Sequence, residues 1–371
     1  MVTGSESHGG VPMSIDRRLS LLGLALGLAA LPAVAQEPSL SDITEAWLAG
    51  PHGRYDSPSF THWNEDGAVP PGCAACHSET GFLDWLGADG SAPLSVDHPG
   101  TINTVIGCAS CHVSEAEALE AVPFPAGMTI DRLGGSATCT VCHQGRTSTD
   151  TVTAAVGDMD PDTVSADLSF INVHYGVAAA VMHGADVRGG FQYDGERYAG
   201  RFSHVPSANS CVACHEPHTT EVATEGCVAC HQGVTDITAI RTRHADFDGD
   251  GDTAGGIKDE IAGLHAILYG AIQDYAAEVA GTPIGYAKDS YPYFFIDGDG
   301  DGSIGDAEGI YPNRYASWTP RLLQAAYNYQ VVAKDGGAWV HNPAYALQLL
   351  HDSVQSLAER VPLDTGGLTR P

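Results

Sequence analysis

CVACHEPHTTEVATEGCVACH, residues 211–231, holds two complete Cys-x-x-Cys-His units whose first cysteines stand 16 positions apart. Cys-x-x-Cys-His is the attachment pattern of c-type haem. Two thiols must reach the two vinyl groups on one porphyrin edge, and the histidine that follows must turn beneath the ring to give iron its fifth ligand. Cys211, Cys214 and His215 form one unit, and Cys227, Cys230 and His231 the next. Only 11 residues separate His215 from Cys227, so the chain cannot carry the second porphyrin far from the first.

The pattern recurs three times upstream: Cys73, Cys76 and His77; Cys108, Cys111 and His112; Cys139, Cys142 and His143. The five units consume all 10 cysteines of the chain. A single unit could be half of a zinc site or a redox dithiol, but five that exhaust the thiols leave none for a disulfide or a nucleophile. With these units the chain resembles the multihaem c-type cytochromes of bacterial respiration, as a pentahaem member carrying five c-type haems.

The resemblance extends to candidate sixth ligands. His62, beside Trp63 and just ahead of the first unit, resembles a His-Trp used as a distal ligand in similar exported cytochromes. His174 in NVHY, His204 in FSHV, His218 in CHEPH and His341 in HNP likewise resemble distal positions of related proteins. His98, His183 and His244 are held in reserve, and His52, in a Pro-His-Gly loop, reads as solvent-facing. Met128 and Met182 remain axial candidates. The 17 histidines of the chain suffice to cap every iron twice.

Double capping decides between function classes. A bis-imidazole iron has no position for substrate and a lower potential than a Met-ligated one. The expected function is therefore electron transfer through low-potential haems, and the protein is not expected to be an enzyme. The alternative is a reductase of a nitrogen or sulfur oxyanion with one open haem. Pentahaem nitrite reductases carry a Cys-x-x-Cys-Lys unit, which this chain lacks. A subunit of a surface complex or a self-assembling filament is compatible with the carrier reading.

Arg17 and Arg18 precede the apolar run LSLLGLALGLAALPAVA, which ends in a small-residue cleavage pattern, so residues 1–35 read as a signal peptide with Met13 as the natural start. Export follows, to the periplasm or the cell surface, and no later run is long enough to span a membrane. A formal net charge of −29 repels nucleic acid and favours cations or basic redox partners. Those partners are expected among other cytochromes or an outer-membrane complex.

Residues 36–240 form the haem-binding region, and residues 241–371 a helical region without cysteine. The fold class is mainly α with much irregular structure, a multihaem cytochrome c fold with one short β-hairpin and an EF-hand-like calcium loop. Phe191, Tyr193, Tyr198 and Phe202 around Asp194-Gly195 predict the hairpin. Asp297, Asp299, Asp301, Ser303 and Glu308 fall at positions 1, 3, 5, 7 and 12 of an EF-hand loop, with Gly302 at 6, so Ca²⁺ is expected there. A second loop offers Asp248, Asp250, Asp252 and Asp259 but no glutamate at position 12. Helices are expected over Ile257–Val279, from Thr319-Pro320 to about Val332, and from Asn342-Pro343 onward.

Overall fold

Thr319 begins the best-packed part of the chain. Its hydroxyl accepts a hydrogen bond from the Leu322 amide at 3.2 Å, and Pro320 presets the first helical residue, so a helix runs over Pro320–Lys334. Asn342 and Pro343 repeat the device for the Pro343–Ala358 helix, the Asn342 side chain accepting from the Tyr345 amide at 3.1 Å. The Ile257–Glu278 helix opens with the Asp259 carboxylate accepting from the Gly256 amide at 2.9 Å. Its stripe of Ile261, Leu264, Leu268, Ile272 and Tyr275 is buried, and the three helices pack on one another around it.

These coordinates are a computed structural model that describes residues 37–371. The signal-peptide reading of residues 1–35 lies outside the described residues. Leu40–Pro371 forms one compact unit. No helix among the described residues is long and apolar enough to cross a membrane.

Ahead of the three long helices the chain is a succession of short helices and irregular links. A second apolar cluster, Phe82, Trp85, Leu86, Leu133 and Val141 among its members, joins the first and third Cys-x-x-Cys-His units, with Val113 and Ala116 just after the second unit packed into it. Strand content is slight. β1 (Val122–Pro123) pairs antiparallel with β2 (Thr129–Ile130), and β3 (Ile284–Tyr286) with β4 (Phe294–Ile296).

The hairpin expected at residues 191–202 is not formed, although its turn is: Gly195 adopts φ +85°. The backbone groups that would pair across the strands bond instead to side chains of the long helices. Asn328 accepts from the Phe191 amide at 2.7 Å and donates to the Phe191 carbonyl at 2.9 Å, while Gln348 accepts from the Ala199 amide at 2.7 Å. Tyr327 donates to the Gly189 carbonyl at 2.8 Å, and Gln330 accepts from the Val173 amide at 3.2 Å. Buried polar side chains thus suspend irregular chain on a rigid helical frame, satisfying backbone groups that no sheet satisfies.

Candidate functional site

One cavity of about 2320 Å³ is lined by all five motif histidines and by every motif cysteine except Cys108. Cys108 borders a smaller cleft of about 390 Å³ beside Trp47 and Glu79. None of the cysteines is disulfide-bonded. Local structure explains how the units present themselves. The first and third lie on the Pro71–His77 and Ala137–His143 helices, where residues three apart share a face, so both thiols of a pair point the same way. The second ends on the short Ala109–His112 helix, the fourth begins on a 3₁₀ turn at Cys211–Ala213, and the fifth closes the Thr224–Cys230 helix, with His231 just beyond it.

Each motif histidine faces a second histidine across this cavity. Ring centres are 5.8 Å apart for His77 and His174, 6.5 Å for His112 and His218, and 6.4 Å for His143 and His52. They are 6.4 Å apart for His215 and His341, and 6.1 Å for His231 and His204. Two imidazoles on opposite sides of one metal, each bonded at about 2.0 Å, hold their ring centres roughly 6 Å apart. All five pairs have that separation, and no histidine is used twice.

The rings are also oriented. His77 donates from Nδ1 to the Ser59 carbonyl at 2.8 Å, His143 to that of Gly176 at 2.9 Å, and His215 to that of Thr220 at 2.9 Å. His218 and His341 engage carboxylates instead, Glu216 at 3.1 Å and Asp335 at 2.8 Å. A proton held on Nδ1 leaves the Nε2 lone pair free to bind metal. Burial lowers the pKa of His52, His77 and His143, and takes that of His174 down to about 4, so these rings are neutral donors at pH 7. At His341 burial also acts to lower the pKa, but the Asp335 carboxylate outweighs it and raises it.

The donor set therefore suits haem: paired thiols, paired imidazoles and an apolar cavity wall. The polyhaem c-type cytochrome OmcC of Geobacter sulfurreducens is 24% identical over 418 aligned residues, covering 96% of this chain and 50% of that protein. OmcB, a polyhaem c-type cytochrome from the same organism, is 24% identical over 366 residues, covering 82% of this chain and 46% of its own length. Over most of its length the chain is similar to polyhaem c-type cytochromes. It spans about half the length of these curated relatives. No family model matches it, and no solved structure does.

Within this cavity, four expected distal histidines, His174, His204, His218 and His341, stand opposite motif histidines, and His62 does not. His62 is exposed, with its ring edge-on to Trp63 at 4.7 Å, and Trp63 itself packs against His77 at 5.1 Å. The tryptophan thus occupies the space between His62 and the first unit. His52 stands in the remaining position opposite His143, although its loop reads as solvent-facing. The available signal was the pair of flanking glycines: a Cβ on Gly50 would meet the His218 carbonyl at 2.7 Å, and one on Gly53 the Trp47 carbonyl at 2.4 Å. That close packing seats the His52 turn.

The reserves lie elsewhere. His98 is exposed and paired with Asp97 and Asp84, and His183 is buried with Nε2 3.1 Å from Arg201. Neither they nor His244 line the cavity. The Met182 residue lines it, while Met128 does not.

In the Asp297 loop, Asp297, Asp299 and Glu308 bring carboxylate oxygens within 4.8 Å of one another. The loop leaves β4 directly rather than a helix, so the helix–loop–helix frame of an EF-hand is not formed. Asp301 is occupied in accepting from the Ser303 amide at 2.8 Å. In the second loop the cluster is Asp246, Asp248 and Glu260. Asp259 is instead the helix cap, and Asp250 and Asp252 accept from amides within their own turn. Glu260 already pairs with Arg241 at 2.7 Å.

Proposed function

We propose that this cytochrome is a one-electron carrier with five covalently attached haems, each iron held between two histidines. The pairs are His77 with His174, His112 with His218, His143 with His52, His215 with His341 and His231 with His204. The observation that carries this reading is that five attachment units meet five further histidines at one common spacing. A bound haem supplies a one-electron iron couple and a flat apolar body. The chain anchors its edge through two thiols, orients His77, His143, His215, His218 and His341 by hydrogen bonds on Nδ1, and keeps His52, His77, His143 and His174 neutral by burial. With both axial faces taken, no iron has a position for a substrate oxyanion, which favours a carrier over a reductase. Bis-imidazole ligation keeps the potentials below those of Met-ligated haems.

The test is spectroscopic. The oxidised protein, with an intact mass five haems above its polypeptide, is expected to show only low-spin ferric iron in EPR, with no change on adding nitrite or cyanide. His52→Ala is expected to convert one haem in five to a high-spin, cyanide-binding form, and His62→Ala none. A high-spin signal in the unmodified protein overturns the reading.

The leader-like residues 1–35 support export to the periplasm or cell surface, and the acidic charge suits basic or cation-bridged redox partners, in an outer-membrane complex or between copies. Asp297, Asp299 and Glu308 are the proposed Ca²⁺ ligands, acting as a structural clamp beneath β4. Chelation is expected to lower the melting temperature, and Asp297→Asn to abolish that response.

A further inference from the structure

The Pro320–Lys334 helix ends between two of the histidine pairs and sends a side chain of opposite charge toward each. Lys334 is its last residue and Asp335 the next. The half-buried Lys334 ammonium stands 3.8 Å from the centre of the Tyr175 ring and 4.1 Å from that of Tyr293, and it donates to the Lys288 carbonyl at 3.3 Å. Tyr293 donates to the Tyr175 hydroxyl, so the two rings are held together around it. The Tyr175 ring lies 5.5 Å from that of His174, which faces His77. Lys334, Tyr175 and His174 all border the large cavity. Among the described residues no carboxylate pairs with Lys334, and its neighbours, two π faces and a carbonyl, hold a cation without cancelling its charge. Burial takes its pKa down to about 8, with Asp289 acting against that shift and Lys288 with it, so the group is cationic at pH 7.

Asp335 is buried and contacts the His341 ring, which faces His215, through both carboxylate oxygens at 2.8 and 2.9 Å. A carboxylate just past a helix C-terminus runs against the helix dipole, whereas a lysine there runs with it, so the aspartate is placed by its histidine rather than by the helix. A positive charge near an iron centre favours the ferrous state, which carries one positive charge fewer, and a negative charge favours the ferric state. We infer that Lys334 and Asp335 set the first and fourth haems apart in potential, making the His77–His174 haem the electron acceptor and the His215–His341 haem the donor within one chain. This rests on the reading that each histidine pair holds a haem iron. At equilibrium an electron leaves ferrous iron between His215 and His341 and reduces ferric iron between His77 and His174, and no further reactant is consumed. Two consecutive residues thus give the carrier a preferred direction.

The experiment is a redox titration of the full-length protein followed by NMR, each haem assigned through contacts to the protons of its own Cys-x-x-Cys-His unit. In the unmodified protein the first haem is expected to be reduced before the fourth. Lys334→Met should move the first haem's one-electron equilibrium roughly three- to tenfold toward ferric iron, the size expected of one unit charge at close range in partly solvated protein, and move the fourth far less. Lys334→Arg keeps the charge and should leave the first midpoint in place. A fourth haem reduced before the first in the unmodified protein overturns the inference with no variant needed. An absent shift in Lys334→Met, or an equal one at all five haems, overturns it too, as does a Lys334→Arg protein that matches Lys334→Met. Each of these leaves the carrier reading intact, whereas an intact mass short of five haems overturns that reading and the inference with it.

Discussion

From residue 192 to residue 246 no apolar residue is buried, while from Phe247 to Val361 the chain is densely packed, with Leu264, Leu268, Ile272, Tyr275, Trp318, Leu322 and Leu323 entirely withdrawn from solvent. The first stretch carries two of the five Cys-x-x-Cys-His units and the second carries none. A segment of 55 residues without an apolar core cannot offset its conformational entropy by polypeptide burial alone. The helical region is stabilised by its own side chains, and on the proposed reading the segment 192–246 is stabilised by the porphyrins attached to it. The largest expected effect separates the two. A variant with Cys211, Cys214, Cys227 and Cys230 all replaced by Ala should lose amide-exchange protection throughout residues 192–246 while the Ile257–Glu278 helix stays protected. Loss of protection in both would show that the regions fold as one and that the contrast is only apparent.

A core substitution in the helical region reads the same contrast from the other side. Trp318 is fully buried, edge-on to Tyr315 at 4.9 Å and against Phe294 at 5.6 Å. Trp318→Ala should cost about 3–5 kcal/mol in the unfolding free energy. With the haems in place, its visible absorption spectrum should be unchanged below the lowered melting temperature. A spectral change at low temperature would mean that the frame shapes the haem sites more directly than packing implies.

What could be read from sequence follows the same division. The attachment units are legible because covalent chemistry confines them to five consecutive residues. The Ile257 helix is legible because its apolar stripe repeats at helical spacing, and its end at Glu278 falls one residue short of the expected Val279. The hairpin at residues 191–202 misleads because alternating aromatics and a turn dipeptide are local signals. The choice between sheet and suspended loop is made by Asn328 and Gln348, more than 130 positions away in sequence. Distal ligands are harder still, since a sixth ligand is defined only by what faces it in three dimensions. His62 has a suggestive neighbour in Trp63, and that neighbour is the group that fills the space between it and His77. His52 has no sequence partner at all and is placed by the packing of Gly50 and Gly53.

The finest distinction lies where the two regions meet. Asp335 follows the last residue of the Pro320–Lys334 helix, is 5% exposed, and contacts the His341 ring opposite His215 with both carboxylate oxygens, at 2.8 and 2.9 Å. His77, His143 and His215 donate from Nδ1 to neutral carbonyls, so His341 receives more electron density than they do. A carboxylate behind an imidazole strengthens the ligand and favours ferric over ferrous iron. Asp335→Asn keeps the shape and a hydrogen-bonding oxygen but removes the charge. The midpoint potential of the His215–His341 haem should therefore rise by tens of millivolts, below the roughly 59 mV that represents a tenfold change in a one-electron equilibrium. The other four haems and the melting temperature should shift less. Haem-resolved potentiometry checks the result. An equal rise at all five haems would assign the effect to overall charge, and no rise at this haem would mean that Asp335 only orients the ring.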